Sequence, residues 1–214
     1  MSYLHWKEEN ISDFSDENTA RMYGEGFVFT RAGRGIMHQT RSVRIDLSKF
    51  ELSSENRRIL KKVEVEMKAE ELPYKNYSWE IGKMGKDFYE SRDAVFTANK
   101  IKELLTTDHN FNLLLNYSDI GYAICFEDKE ILHYSYPFYK LDAPKDTGLG
   151  MMIKAIIYAK ENGLKYIYLG SLQRPSDTYK LQFEGLEWFD GEMWSKDLEE
   201  AKKVLFETLP TSLS

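Results

Sequence analysis

The sequence predicts a mixed α+β protein, in which one central sheet of parallel and antiparallel strands carries helices on both faces. Strand-like alternation and helix-like periodicity of apolar residues follow one another along the chain. In the second half, the order strand, strand, helix, strand, helix, hairpin implies a mixed sheet covered by helices. Hydrophobic residues make up 42% of the chain and aromatic residues 14%, so it can build a sizeable core and is not disordered in bulk.

Length and composition indicate one domain. A chain of 214 residues fits a single domain, assigned to residues 21–214, because residues 1–20 are polar and acidic and are expected to form a loosely held arm. Cys125 is the only cysteine, which excludes an internal disulfide and a zinc site built from cysteines. We expect a soluble, cytoplasmic protein, since no apolar run has the length of a membrane span and the N-terminus lacks a signal peptide's apolar region.

The first predicted elements are a hairpin and a strand. Residues 24–38 alternate in polarity and turn through a glycine-rich segment, which predicts the hairpin. Residues 42–50 alternate Val, Ile and Leu with polar residues, which is typical of a strand with one buried face. On that strand Arg44 and Asp46 are expected to project from the opposite face.

Two helices and a loop-rich segment are expected next. Ser53 or Ser54 is a good N-cap residue, so a helix is predicted over residues 53–70. The following stretch, residues 71–90, contains one proline and two glycines and is expected to be rich in loops. The second helix is predicted at about residues 92–106, and Val95 is among its inward-facing residues.

The second half begins with a predicted hairpin of residues 119–128 and 130–139, which a tight turn joins. An amphipathic helix is expected at about residues 149–161, where Gly163 ends it, and a buried strand follows at LKYIYLG. The last predicted elements are a short helix at about 177–184, a hairpin at LEWFDGEMWS and an acidic covering helix at about 196–207.

The charge is unevenly distributed. The formal net charge is -6, yet residues 31–62 hold nine basic and three acidic residues. A concentrated basic segment can steer a polyanion to one face, although a solvated helix face would have the same composition. Arg57 and Arg58 lie in the first turn of the predicted helix, where the helix dipole disfavours basic residues. An anionic partner would explain why they are placed there.

Residues 131–180 contain the pattern that points to a ligand. A tyrosine-rich strand, interrupted by Pro137, leads into the loop Lys145-x-x-Gly148-x-Gly150 and then into the amphipathic helix. A helix N-terminus offers free N–H groups, and glycines allow close approach of a ligand, so the loop could hold phosphate. The loop resembles the pyrophosphate loop of the GNAT acyltransferases, with lysine at the first position as a departure. Glycine pairs of this kind also occur in many structural loops.

Two blocks of sequence resemble the arginyl-tRNA–protein transferases and their bacterial leucyl-transferring relatives. The first block is GFVFTRAGRGIMHQTRSVRIDLSKFELSSENRRILKK. The second begins at HYSYPFYKLDAPKDTGLG and continues through YIYLG to YKLQFEGLE. Together the blocks cover about residues 22–188. The resemblance implies a GNAT-like acyltransferase fold, in which the strand before the loop is bulged and splays from the strand after the helix.

The activity that the resemblance implies is N-end rule aminoacyl transfer, of the arginyltransferase type. Aminoacyl-tRNA is the co-substrate, the N-terminal amine of a protein or peptide is the acceptor, and neither a cofactor nor a membrane is required. Family members carry cysteines linked to metal or iron–sulfur binding, whereas residues 37–42 here contain none. No metal site is therefore expected. The segment after Tyr179-Lys180 also departs from the family pattern, which leaves the donor amino acid and the acceptor open.

The resemblance and the residue types together suggest a role for each candidate residue. We expect the ester and its oxyanion to contact the backbone near Tyr136–Tyr139, and we expect Gly150→Val to abolish activity without unfolding the chain. Tyr179 and Lys180 are equally compatible with ordinary packing and surface positions. The candidate catalytic residues are Tyr139, Tyr179 and Lys180, and the candidate substrate and tRNA contacts are Arg41, Arg44, Arg57, Arg58, Lys145, Gly148, Gly150 and Tyr136.

Two other functions fit the same pattern. An acetyl-CoA-dependent N-acetyltransferase would use the same glycine loop, but it would not need the basic segment. A relative that kept the fold and lost the chemistry would bind tRNA or peptide without transferring an amino acid.

Overall fold

A computed structural model describes residues 3–118 and 120–207. The bounds of its elements, in chain order, are β1 (Lys7–Asn10), α1 (Asp16–Gly24), β2 (Phe27–Phe29), β3 (Ile36–Gln39), β4 (Ser42–Asp46), α2 (Ser54–Lys62), β5 (Lys68–Glu71), α3 (Trp79–Glu90), α4 (Ala98–Thr106), β6 (Leu113–Asn116), β7 (Gly121–Glu127), β8 (Ile131–Tyr139), α5 (Thr147–Glu161), β9 (Tyr166–Ser171), a 3₁₀ helix (Pro175–Gln182), β10 (Leu186–Phe189), β11 (Trp194–Ser195) and α6 (Leu198–Glu207). None of the described helices is long and apolar enough to cross a bilayer.

The strands form one large and one small sheet. The large sheet has eight strands in the order β11-β10-β4-β9-β8-β7-β6-β5, and the small sheet has the order β1-β3-β2. Within the large sheet β8 and β9 run parallel, and the other described pairs are antiparallel. The helix α5 makes the crossover between the two parallel strands. This mixed sheet confirms the predicted fold class.

Each face of the large sheet has its own hydrophobic core. On one face α2, α5 and α6 pack against residues such as Ile45, Leu115 and Ile167. On the other face α1, α3, α4 and the small sheet pack against residues such as Ile124 and Tyr168. The prediction that helices cover both faces is therefore confirmed, and it agrees with a GNAT-like fold.

Most predicted elements of the second half are confirmed, and several of the first half are wrong. The hairpins β2–β3, β7–β8 and β10–β11 and the Ser53 cap of α2 are present, while residue 119 lies outside the described chain. The helix predicted over 53–70 ends at Lys62, and its last residues form β5. The predicted loop 71–90 contains α3, and the connection after α4 contains β6. Val95 is exposed.

The N-terminal segment is held by the small sheet. Strand β1 pairs with β3 over four residues, and α1 begins at Asp16. Within the expected arm, residues 7–10 and 16–20 therefore belong to regular elements. Residues 1 and 2 of that arm lie outside the described chain.

A β-bulge reverses the side-chain alternation of β8. Tyr134 pairs with Cys125 and Tyr136 pairs with Ile124, so Ser135 is the extra residue. As a consequence Tyr134 faces the core that contains α5, whereas Tyr136 and Phe138 face the core that contains α3. The expected bulge in the strand before the loop is confirmed.

The first turns of α5 depend on two close contacts. A Cβ at Gly150 would lie 3.0 Å from Val63, and a Cβ at Gly148 would lie 2.9 Å from the ring and hydroxyl of Tyr139. Gly150 is buried against the end of α2, so its small size lets the two helices approach. The expectation that Gly150→Val would leave the fold intact is therefore not supported by this packing.

We predict that Gly150→Val lowers the free energy of unfolding by about 1–3 kcal/mol, because the added methyl groups overlap Val63. Urea denaturation of the variant and the parent chain measures this difference. In a Val63→Ala background the loss should be smaller, since two of the opposing carbons are gone. An equal loss in both backgrounds would show that the α2–α5 contact is not its cause.

Candidate active site

A gap opens in the large sheet where β8 and β9 part. The two strands pair over three residues and the register ends at His133–Tyr168. Beyond this point β9 remains paired with β4, where Ser171 lies opposite Ser42. Gly170 has φ +76°, a conformation that favours glycine. We call the space between residues 134–139 of β8 and residues 170–171 of β9 the β8–β9 gap, and it is the splay that the sequence resemblance implies.

The side chain of Lys180 reaches this gap from the 3₁₀ helix. Lys180 is 8% exposed, and its Nζ donates a hydrogen bond to the carbonyl oxygen of Ser171 at 2.8 Å. Burial lowers the pKa of Lys180; Asp177 opposes this shift and Arg174 adds to it. An ammonium group has three donors, so the bond to Ser171 leaves capacity for a ligand's oxygen. The alternative that Lys180 is an exposed surface lysine is excluded.

Tyr139, at the end of β8, is bonded by Arg92, which the sequence did not single out. The Tyr139 hydroxyl accepts a hydrogen bond from Nη2 of Arg92 at 3.2 Å. The Arg92 guanidinium lies over the ring of Phe88, 3.7 Å from its centroid. Burial raises the pKa of the Tyr179 hydroxyl, with a further rise from Tyr139 and an opposing effect of Arg92. The ring of Tyr179 is 45% exposed, so a ligand can reach it.

Tyr136 borders the gap with its backbone rather than with its side chain. Its ring packs against Phe96 and Phe111, with 5.4 Å between centroids in each case. Burial raises the pKa of its hydroxyl. The Tyr89 hydroxyl donates to the carbonyl oxygen of Pro137 at 3.1 Å, which satisfies one group on the parted edge of β8. Tyr136 therefore contributes main-chain groups to the candidate site.

The start of α5 is less open to phosphate than the glycine pattern indicates. The space above Gly148 holds the ring of Tyr139, and Gly150 faces Val63. The N-cap residue Asp146 adds a carboxylate, which forms an ion pair with Lys62 at 2.7 Å. The hydrogen bond from Lys62 lowers the pKa of Asp146, so this carboxylate is ionised at neutral pH. Its negative charge disfavours an anion at the helix start.

Basic side chains of α2 lie next to the start of α5. Arg58 pairs with Glu55 through Nε at 2.7 Å, and after Lys62 it contributes a small further lowering of the pKa of Asp146. Arg57 bonds the carbonyl oxygen of Leu52. We define the basic surface as five exposed residues of α2 and the adjoining loop: Arg57, Arg58, Lys61, Lys62 and Lys145.

Arg41 and Arg44 have different surroundings. Arg44 donates from Nε and Nη2 to one carboxylate oxygen of Glu187 at 2.9 and 2.8 Å, and its guanidinium lies between the rings of Tyr166 and Trp194. The charge of Arg44 is therefore neutralised by Glu187 inside the protein. Arg41 is half-buried, and burial lowers its pKa. Its carbonyl oxygen accepts from Leu172, which places it beside the end of β9.

The N-terminal segment covers one rim of the gap. The N–H of Leu4 donates to Oε1 of Gln173 at 2.8 Å, and the carbonyl oxygen of Leu4 accepts from Gln173 at 3.0 Å and from the Thr40 hydroxyl at 2.6 Å. Gln173 also donates to the hydroxyl of Ser171 at 3.0 Å, so Leu4 is linked through it to the residue that holds Lys180. The sequence alone gave no signal for this contact.

Comparison with known proteins finds similar solved structures, but no matching protein family and no matching curated sequence. Among solved structures, L-PGS from Bacillus licheniformis matches at 15% identity and TM-score 0.48 over 73% of this chain and 52% of its own. The C-terminal domain of a protein named as lysylphosphatidylglycerol synthetase from Agrobacterium fabrum matches at 14% and 0.48, over 77% and 54%.

A third match is a fungal GCN5-related glucosamine N-acetyltransferase region, at 10% identity and TM-score 0.47, over 84% of this chain and 23% of the other. The chain spans about half the length of the first two structures. The overlap of folds is partial and says nothing of what this chain binds.

His133 marks the point at which the strands part, and it gives a pH-dependent prediction. The Tyr23 hydroxyl lies 2.8 Å from Nδ1 of His133 and also accepts from the N–H of Phe29 at 3.4 Å. Burial lowers the pKa of His133 to about 3. An exposed histidine titrates near 6.5. Between these values the unfolded chain binds a proton here and the folded chain does not, so stability falls as the pH falls.

We predict that this residue alone reduces the free energy of unfolding by about 2 kcal/mol between pH 7 and pH 5. Chemical denaturation at both pH values, on the parent chain and on His133→Gln, isolates the effect as the difference between the two pH slopes. Equal slopes in both chains would mean that His133 is not buried in its neutral form.

Proposed function

We propose that the chain transfers an amino acid, of the Arg or Leu type, from aminoacyl-tRNA to the N-terminal α-amine of a protein or peptide. The observation that carries the proposal is the buried ammonium group of Lys180, which lies in a gap bordered by the parted edge of β8. A group that needs a strong hydrogen-bond donor in a water-poor site, such as the oxyanion of an ester under attack, fits this gap. The resemblance to the arginyl-tRNA–protein transferases points to the same reaction.

A continuous path supports tRNA as the donor. The basic surface on α2 joins the start of α5 through the ion pair of Lys62 and Asp146. From there Gly148 lies against the Tyr139 hydroxyl, which Arg92 bonds at the mouth of the gap. A tRNA acceptor end that lies on the basic side chains can therefore direct its terminal ester toward Lys180. We assign the phosphate contacts to Arg58 and other side chains of the basic surface, rather than to the helix start.

The chemistry is the aminolysis of an ester. The neutral α-amine attacks the carbonyl carbon, a C–N bond forms, and the C–O bond to the ribose breaks, while the amine loses a proton and the ribose oxygen gains one. An α-amine has a pKa of about 7.7 to 8.0, so a strong base is not needed. In our proposal Lys180 and main-chain groups near Tyr136–Tyr139, where Pro137 has no N–H, stabilise the oxyanion. Tyr179, whose raised pKa keeps it protonated, relays the proton: it gives its own proton to the ribose oxygen and regains the one that the attacking amine loses.

Acetyl-CoA fits the same residues less well. Its pyrophosphate would have to bind the start of α5, where the carboxylate of Asp146 and the ring of Tyr139 lie. It would also leave the basic surface without a role.

A transfer assay tests the proposal. The full chain is incubated with charged total tRNA and peptides that differ in their first residue, and mass spectrometry reads the products. We expect peptides that are heavier by one amino-acid residue at the N-terminus. Acetylation of the same peptides with acetyl-CoA, or binding of tRNA without any transfer, would overturn the proposal in favour of an acetyltransferase or of a binding module.

We predict that Lys180→Met lowers the rate of transfer by about 10²–10³-fold, which is typical of the loss of an oxyanion donor. Relief of the buried charge should roughly offset the loss of the hydrogen bond to Ser171, so the free energy of unfolding should change by less than about 1 kcal/mol, and tRNA affinity should be unaffected. Single-turnover transfer and urea denaturation measure the two effects, and Lys165→Met is the control at an exposed lysine. A parallel loss of stability and activity would instead assign Lys180 a structural role.

We predict that Arg57→Ala combined with Arg58→Ala weakens tRNA binding and reduces the slope of log K against log salt by about 1 to 2, since two phosphate contacts are lost. The matched control is Lys202→Ala with Lys203→Ala, which removes two exposed charges from α6. Filter binding at several salt concentrations gives the slopes. A slope that changes equally in both pairs would remove the basic surface from the proposed tRNA site.

A further inference from the structure

Two histidines and a glutamate converge on the outer face of the small sheet. Glu8 of β1 and His38 of β3 are direct cross-strand partners, and Oε2 of Glu8 lies 2.9 Å from Nε2 of His38. His5 precedes β1, and its ring stacks on that of His38 with centroids 4.4 Å apart and an angle of 14° between the planes. One ligand atom from each of the three residues lies within 4.8 Å of the other two.

The donor set suits a divalent transition metal. Imidazole nitrogen and carboxylate oxygen are common zinc ligands, with bonds of about 2.0–2.2 Å, and three protein ligands leave a position for water. In such a site the ligand atoms lie about 3.3 Å apart and each imidazole binds the ion in its own plane, so the three groups must close and the His5 ring must rotate out of its stack on His38. Nε2 is the ring nitrogen of His38 that lies beside Glu8, while its Nδ1 is buried and has no hydrogen-bond partner among the described residues.

We propose that His5, Glu8 and His38 bind one divalent transition-metal ion of the zinc class. The site is independent of the proposed transfer reaction and uses none of its residues. It would revise the expectation of no metal site, which rested on the absence of cysteines and on histidines, His38 among them, that have no partner visible in the sequence. Because the ligands come from β1, from the segment before it and from β3, the ion would bind this segment to the small sheet.

Binding of the metal ion should also affect the neighbouring rim of the β8–β9 gap. Residues 3–5 lead directly from the metal site to the bonds of Leu4 with Gln173 and Thr40. A bound ion fixes His5 and should therefore slow the opening of this segment. The amide N–H groups of Leu4 and Trp6, which donate to Gln173 and to the carbonyl oxygen of Gln39, report that opening.

Titration calorimetry of the full chain with Zn²⁺ alone tests the site. We expect one ion per chain, and a loss of affinity of about tenfold or more in His5→Ala and in His38→Ala. The matched control is Glu9→Gln, which is the next residue of β1 and pairs with Met37 instead. Hydrogen exchange at Leu4 and Trp6 should slow on addition of Zn²⁺ in the parent chain and not in His5→Ala.

The proposal is overturned if the parent chain binds no Zn²⁺, or if His5→Ala binds it as tightly as the parent. An equal loss of affinity in Glu9→Gln would also overturn it, because the ion would then respond only to surface charge. His5 and Glu8 are exposed, so His5→Ala and Glu8→Gln can be examined without disturbing a core.

Discussion

The structure of the candidate site depends on the point at which two parallel strands stop pairing. Three cooperating features fix that point: the extra residue Ser135 in β8, the missing N–H of Pro137 and the positive φ of Gly170 in β9. Main-chain groups that a continuous sheet would have satisfied must find other partners, because buried peptide groups without hydrogen bonds are costly. The Tyr89 hydroxyl and the Lys180 ammonium supply two of them.

The two buried basic side chains near β9 show how differently a charge can be held. Arg44 has a carboxylate partner and two aromatic rings, so its environment explains its burial as part of the fold. Lys180 donates to one carbonyl oxygen, that of Ser171, and its pKa is lowered by burial. The hydrogen bond therefore does not fully compensate the loss of hydration of the ammonium group. A buried charge with spare donors contributes little to stability, and an anionic ligand is the partner that would complete its hydrogen bonds. This difference is our reason to place chemistry at Lys180 and not at Arg44.

The sequence predicted elements whose signals are local and missed those set by distant contacts. The Ser53 cap, the hairpin pattern LEWFDGEMWS and the amphipathic pattern of α5 were sufficient to locate their elements. Strand β5 was missed because its residues KAEE are polar and take their conformation from pairing with β6. Helix α3 was missed because its glycines indicate loops, whereas Gly85 allows Ile101 and Phe138 to approach.

In the candidate site, α2 contacts the glycine loop at the start of α5, and the sequence had singled out both segments. The inward turn of Tyr136, the partner of Arg44 and the presence of Arg92 depend on residues far apart in sequence. No local pattern reports such contacts.

The contact of Leu4 with the rim of the gap has an energetic consequence for any ligand that enters from that side. Three hydrogen bonds hold the Leu4 peptide groups, and each contributes about 1 kcal/mol. A ligand that must displace them binds only the fraction of molecules in which the segment has opened, which reduces its apparent affinity by roughly a hundredfold. Gln173 pairs with main-chain groups on both sides of one residue, so it recognises an extended backbone without regard to its side chain. The N-terminal segment around Leu4 therefore competes with any such ligand for the rim of the gap.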